Sequence, residues 1–404
     1  MIPLPFPKTG VVSHILPPSP SGQAMVLYRL LEDISPDRYC LMSRVNYKRD
    51  GEGGVGRLPA RTHYLGPAFR LNVTDRLRLS DAVVPVNTAF EVVHRARQIL
   101  RVVREESCDL VLACSGDLCD LPAAYLASRW AQVPCIAYMF DDYAYQWTGV
   151  FRSISRRLEP MVLKKVKGVI VPNEHLQREY GRRYGILSKV IRNPCLLPDI
   201  AALDLEDRVF DPEGIHIVYT GAVYHAHYDA FRNLVSAIEG LGRPDVRLHL
   251  YTSQPEAEIA RIGIRGPAVS IHPHILPSQV PGVLRQASIL FLPLGFDTPI
   301  PEVIRTSAPG KTGEYLSAGR PILVHAPGDS FLSWYFRENR CGIVVDRSDA
   351  DQLSSAIGTL LADETLRSDL GARARSAAER DFDLEAVRPR FREALVAFAE
   401  EGRR

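Results

Sequence analysis

Lys311 and Glu314 are the two residues in this sequence whose types and spacing best suit chemistry. Three positions apart is about one helical turn, so both side chains can share a face. The run Ser307–Pro321 that holds them follows an apolar stretch, Ile289–Leu294, and precedes another, Ile322–Val324, so it reads as strand, loop, helix, strand. Pro309 and Gly310 open the helix. A helix start leaves backbone N–H groups free and attracts phosphate, and Lys311 adds a full positive charge there. A neighbouring carboxylate suits sugar hydroxyls. The segment therefore points to a nucleotide-sugar site, the plainer alternative being a helical surface pair worth ~0.3–0.5 kcal/mol.

Other candidates stand at the ends of apolar runs. Asp117 follows Leu110–Cys114, where it is either a ligand or base in a cleft or the cap of the Leu118–Arg129 helix. Asp141 and Asp142 follow Cys135–Phe140 beside Tyr143, Tyr145 and Trp147. Acids with aromatics suit sugar recognition, and one acid could deprotonate an acceptor; caps and loop solvation are the alternative. His225 and His227 lack the further ligands a metal needs, and no metal or cofactor is expected. His272 and His274 alternate at a strand end and so face one side. Between Arg152 and Lys167 six basic residues interleave with Ile154, Leu158, Met161 and Val162, a pattern for an anionic membrane surface or for a solvated face. Gly221 and Gly240 form no dinucleotide fingerprint.

Positioning these groups requires a large scaffold. With 404 residues the chain suits two domains of roughly 200. Hydrophobic residues make up 46% and charged residues 24%, which favours globular cores over disorder. A net charge of +2 argues against a nucleic-acid coat, and no partner of that kind is expected. No apolar run nears the ~20 residues of a membrane span, and the N-terminus lacks a signal pattern. Seven scattered cysteines fit a reduced, cytoplasmic protein.

Strand-length apolar runs alternate with helical segments almost throughout, implying an α/β fold with parallel sheets. Expected strands include Gly10–Leu16, Cys40–Arg44, Ile215–Gly221, Val246–Thr252 and Val269–His272, with helices at Gly22–Ile34, Phe90–Glu106 and two long ones at the end, Asp363–Arg380 and Leu384–Glu401. The proline- and acid-rich stretch from Asn193 to Gly214 reads as a linker. It divides an acceptor-side domain, 1–195, from a donor-binding domain, 212–383, with 384–404 packing back on the first. Doubly wound domains place ligands at the carboxyl ends of strands.

The second half resembles the donor domain of GT-B glycosyltransferases, particularly glycosyltransferase family four (glycosyl transferases group 1). The carrying residues are Pro309, Lys311, Glu314, Tyr315, Gly319 and Pro321, spaced as in that family's segment, together with Cys341–Asp346 and Asp349–Leu353. Leu158–Asn173, Tyr184-Gly185 and Asn193-Pro194 are similar to its first half. The resemblance implies a GT-B fold, two doubly wound Rossmann-like domains facing a central cleft. It assigns Glu314 to the ribose hydroxyls and Lys311 to the donor phosphates, with Pro309, Gly310 and Thr312 around them. It places Gly221 and Ala222 in the turn that meets the pyrophosphate, and Gly22, within Pro18–Gln23, opposite the transferred sugar. Arg232 is a candidate for the family's cation after the first donor-domain strand, and His274 lies near the base. Two features depart from the pattern. Thr306, eight positions before Glu314, stands where the family often has an acid, and Ser115-Gly116-Asp117 replaces its histidine.

The function implied is transfer of a sugar from a nucleotide diphosphate sugar, a UDP- or GDP-sugar first, to a hydroxyl acceptor such as a saccharide or lipid-linked saccharide. The family implies retention at the anomeric carbon and a setting in polysaccharide, lipopolysaccharide or glycoconjugate assembly, metal-independent, cytoplasmic, with peripheral contact at the inner membrane face left open. Asp117, Asp141 and Asp142 are the catalytic candidates. A catalytically silent module binding nucleotide sugar or a partner enzyme, and a nucleotide-sugar 2-epimerase, remain the alternatives.

Overall fold

The computed structural model describes residues 6–46, 56–69, 71, 80–198 and 209–403. The middle of the expected linker, 199–208, lies outside the described residues. The chain divides into two compact units, one of residues 1–194 with 387–404 and one of 195–386.

In the first unit, β1 (Thr9–Val12), α1 (Gly22–Leu31), β2 (Tyr39–Ser43), β3 (Thr62–Tyr64), α2 (Ser80–Glu105), β4 (Leu110–Cys114), α3 (Asp120–Ala131), β5 (Cys135–Tyr138), α4 (Gly149–Leu163), β6 (Gly168–Val171), α5 (Glu174–Tyr184) and β7 (Lys189–Val190) alternate. Their strands form one parallel sheet in the order β3-β2-β1-β4-β5-β6-β7. The central strands are apolar and buried along their length because helices cover both faces. Each large apolar side chain buried in this way contributes about 1.5–3 kcal/mol.

The second unit runs β8 (Ile215–Thr220), α6 (Tyr228–Gly240), β9 (Val246–Tyr251), α7 (Glu256–Arg261), β10 (Val269–His272), α8 (Val280–Gln286), β11 (Ile289–Pro293), α9 (Pro301–Thr306), α10 (Lys311–Ser317), β12 (Ile322–His325), α11 (Phe331–Asn339), β13 (Ile343–Val345), α12 (Ala350–Ala362) and α13 (Glu364–Asp381). Its parallel sheet has the order β10-β9-β8-β11-β12-β13. Strand order reverses beside β8, and a switch of that kind opens a crevice at the carboxyl ends of the strands. The last helix, α14 (Leu384–Arg403), lays Val387, Phe391, Ala394 and Leu395 into the first unit's core beside Val11, Leu112 and Ile136.

Several boundaries differ from the sequence reading. β1 ends at Val12, because Ser13 bonds across to Met42 and then accepts and donates locally at Ile15, which turns the chain. α2 begins at Ser80 rather than Phe90 and carries Pro85 in its second turn, where the missing N–H removes one i→i−4 hydrogen bond. α1 stops at Leu31, short of Ile34. The strand β3 and the helix α9 are additions. All seven cysteines are buried. No helix among the described residues is long and apolar enough to cross a membrane.

Candidate functional site

The carboxyl end of β8 gathers the second unit's key groups. Gly221 turns the chain at φ +114°, a value that favours glycine, and a Cβ there would lie 3.3 Å from Lys311 Nζ. Lys311, the first residue of α10, donates from Nζ to the Tyr219 phenol at 2.6 Å, with Nζ 3.9 Å from the Tyr219 ring centre. Tyr219 is buried and passes its own hydrogen to the Ala222 carbonyl at 2.7 Å. Tyr315, one turn along α10, accepts the Thr220 N–H at 2.9 Å and so pins the helix to the strand end. Gln254 clamps Val223, accepting its N–H at 2.6 Å and donating to its carbonyl at 2.7 Å.

The electrostatics of this corner are unusual for a lysine. Burial is the main cause that lowers the Lys311 ammonium to about 7, and Glu314 partly opposes it. His227, buried beside Tyr219, is held well below its ordinary value by burial and then by Lys311. The site thus has a cation half-deprived of water and aimed at a glycine turn. An incoming anion restores what burial took away.

The remaining donor-side candidates are placed as follows. The Gly221 N–H donates to the Tyr251 carbonyl at 2.8 Å, so that amide is engaged in the fold and is not offered to a phosphate as the sequence implied. Thr312 N–H likewise bonds to Pro309 at 2.9 Å. α10 is only seven residues long, which limits its dipole, and Gly310 gives it no side-chain cap. The positive charge therefore rests on Lys311 more than on the helix start. Glu314 is half-buried on the same short helix. Arg232 leans away to the Ile262 carbonyl at 3.3 Å, and the structure does not bring it to Lys311. Thr306 Oγ1 donates to the Glu302 and Val303 carbonyls of its own helix, at 3.4 Å. His274 lines a pocket of about 370 Å³ at the ends of β9 and β10, which shares Gln254, the clamp on Val223, with this corner.

Sequence reasoning missed Asp229. Its carboxylate receives the N–H groups of Phe296 and Asp297 at 2.7 and 2.8 Å, which fixes the loop after β11. The buried acid three residues before an exposed-looking arginine carried no signal by itself.

In the first unit the acids sort differently. Asp117 accepts from Cys119 and Asp120 N–H at 2.8 and 3.1 Å, the geometry of a cap for α3. It also pairs with Arg95 and, at 3.5 Å, with Arg44. Burial raises the Asp117 carboxyl, yet Arg95 and the cap outweigh it and hold it below the usual range. Arg95 is 1% exposed and meets Glu91 and Asp120 as well. Asp142 is fully buried and paired with Arg183, which also bonds Glu159 at 3.0 Å and Glu179 at 2.8 Å. Asp141 is half-buried beside it, and burial followed by the Asp142 charge raises it to about 7. Gly22 begins α1 behind the cap Ser21, with open space where a side chain would stand. On α4, Phe151, Arg156, Arg157 and Met161 are exposed, whereas Ser155, Glu159, Val162 and Leu163 are buried.

Comparisons with known proteins follow this geometry. Residues 214–363 match the family model described as glycosyl transferases group 1. Among solved structures, the chain resembles sucrose-phosphate synthase from Thermosynechococcus elongatus, with a TM-score of 0.70 and 18% identity over 96% of this chain and 99% of that one. Anabaena HepE in complex with UDP-glucose aligns with a TM-score of 0.68 and 13% identity over 97% of this chain and 100% of that one. A glycosyltransferase from Rickettsia africae aligns with a TM-score of 0.67 and 13% identity over 97% and 98%. A search among curated proteins finds no match to the sequence.

Proposed function

We propose that this protein, which has the GT-B fold and whose residues 214–363 match the group 1 family model, is a glycosyltransferase that moves a sugar from a nucleotide diphosphate sugar to a hydroxyl acceptor. The observation that carries the reading is Lys311, a partly desolvated cation held 2.6 Å from the Tyr219 phenol against the Gly221 turn. A diphosphate seated there regains the ammonium charge, and the gain is largest when charge builds on the departing phosphate oxygen. Stabilisation that grows toward the transition state accelerates the chemical step. Glu314, on the same helix, is assigned to the ribose hydroxyls.

HepE bound to UDP-glucose supports a UDP-sugar as the first donor to try. TarM, in a complex containing UDP and α-GlcNAc-glycerol, supports a polyol or saccharide acceptor. Asp117 and Asp142 are committed to Arg95 and Arg183, so neither is assigned the part of acceptor base. Retention fits that arrangement, because the departing diphosphate can itself take the acceptor proton. Asp141, raised to about 7, can both donate and accept, and is assigned to an acceptor hydroxyl.

Glu314→Ala tests the donor assignment. Release of nucleotide from the preferred sugar donor should be abolished while the melting temperature stays within a degree or two. Normal activity in that variant would end the assignment. Isomerised donor would indicate an epimerase, and binding without turnover a silent module.

A further inference from the structure

Three imidazoles cross the second unit's sheet in one hydrogen-bonded line. His216 stands near the start of β8, His249 in the middle of β9 and His272 at the end of β10. In register, Val218 pairs with His249 and Tyr251 with His272, so all three histidines share a face, and each step climbs two residues toward the carboxyl end. His216 Nδ1 lies 2.9 Å from His249 Nε2, and His249 Nδ1 lies 2.9 Å from His272 Nε2. At the lower end His216 Nε2 is 2.7 Å from the Asp211 carbonyl oxygen.

The carbonyl sets the direction of the whole line. It can only accept, so His216 carries its proton on Nε2 and presents a lone pair at Nδ1. His249 must then donate from Nε2 and accept at Nδ1. His272 in turn donates from Nε2, which leaves Nδ1 as an acceptor. His216 and His249 are 5% and 7% exposed, so a nitrogen left unpaired in either would be buried without a partner, which is costly. Burial, with the neighbouring histidines next, lowers His249 to about 4, and burial lowers His272, so both are neutral at pH 7. The packing is built for the line. Phe210 lies 4.7 Å from both the His216 and His249 rings, and a Cβ on Gly214 would sit 2.7 Å from His216 Cε1.

The upper end opens into the pocket lined by Thr252, Gln254, His272 and His274. Tyr251 stacks on His272 at 4.5 Å with planes 17° apart, which fixes the ring in place. We infer that His216 and His249 are positioning residues that lock His272 as a hydrogen-bond acceptor, selecting a nucleotide base that offers a ring N–H. This rests on the nucleotide-sugar reading above. Uracil, thymine and guanine carry such an N–H on the edge that pairs with another base. Adenine and cytosine carry a lone pair at the matching ring nitrogen, which would face the His272 lone pair. Leaving that contact unmade costs affinity by about 10-fold or more.

Two measurements test this. Long-range proton–nitrogen NMR of the wild-type protein should show the Nε2–H form for His216, His249 and His272; an Nδ1–H form at His272 overturns the inference, whatever the ligand. Calorimetric titration with UDP, GDP, ADP and CDP should give tighter binding of UDP or GDP by about 10-fold or more. In His249→Phe, His272 is released to adopt either form, and the preference should shrink toward parity. If that variant unfolds, His216→Gln serves instead. ADP or CDP bound as tightly as UDP and GDP, or a preference unchanged in the variant, overturns the inference alone. Failure of the wild type to bind any of the four removes the nucleotide-sugar reading and this inference with it.

Discussion

The two units bury their cations in opposite ways. In the first, Arg95 is wrapped by Glu91, Asp117 and Asp120, and Arg183 by Asp142, Glu159 and Glu179. In the second, Lys311 gives its hydrogen bond to a phenol and lies on an aromatic face. The first arrangement satisfies its cation within the fold and needs no ligand to do so. The second stabilises the ammonium poorly, as its lowering to about 7 records, and keeps a cation ready for an anion. The contrast separates charges that hold the fold from a charge proposed to serve binding.

The largest expected effect lies on the first side of that comparison. Arg183→Leu or Arg95→Leu strands two or three buried carboxylates and should cost about 3–5 kcal/mol, read by denaturant unfolding. Stability within 1 kcal/mol of the parent would show that these clusters do not hold the fold. Lys311→Met should do the reverse. It removes a buried cation, so the protein should be as stable or more stable at pH 7, while kcat/KM falls about 100-fold to 1000-fold. The sign follows from linkage. The folded-state value lies below the unfolded one, so Lys311 weakens the fold below about 7, and stability rises with pH from there toward 10.5. Loss of stability in Lys311→Met would move Lys311 to the structural group. A smaller effect is expected at Asp141. Asp141→Asn should lower kcat/KM about 10-fold through a lost acceptor hydrogen bond, with product stereochemistry unchanged by NMR. A collapse of kcat, with a rate in the parent that climbs with pH through about 7, would make Asp141 the base and point to inversion.

Much of this contrast was legible from residue order. The apolar runs that became β4, β5, β8 and β11 were readable because both faces of a parallel sheet are covered. The placement of Lys311 and Glu314 on one helix was readable because it depends only on spacing within that helix. β3 was not, since Thr62–Tyr64 is short and largely exposed. Nor was α9, whose six residues sit between proline-rich turns. The partners that give the sites their character come from remote positions: Tyr219 for Lys311, Arg183 for Asp142, and Asp211, His216, His249 and His272 for one another. No periodicity encodes such pairs, because packing of distant elements assembles them, through sheet register in the case of the three histidines. Gly221 shows the limit most clearly. Its turn was foreseen, but its amide is bonded to Tyr251 and leaves the charge to Lys311.

On the proposed reading, Lys311 regains its proton when a nucleoside diphosphate binds. Calorimetry of UDP and GDP binding near pH 8, in buffers of different ionisation enthalpy, counts protons taken up. The expected result is uptake of a fraction of a proton, affinity that falls as pH rises above about 7, and loss of both effects in Lys311→Arg, whose guanidinium stays charged. Binding without proton uptake and with affinity flat from pH 6 to 9 would contradict it.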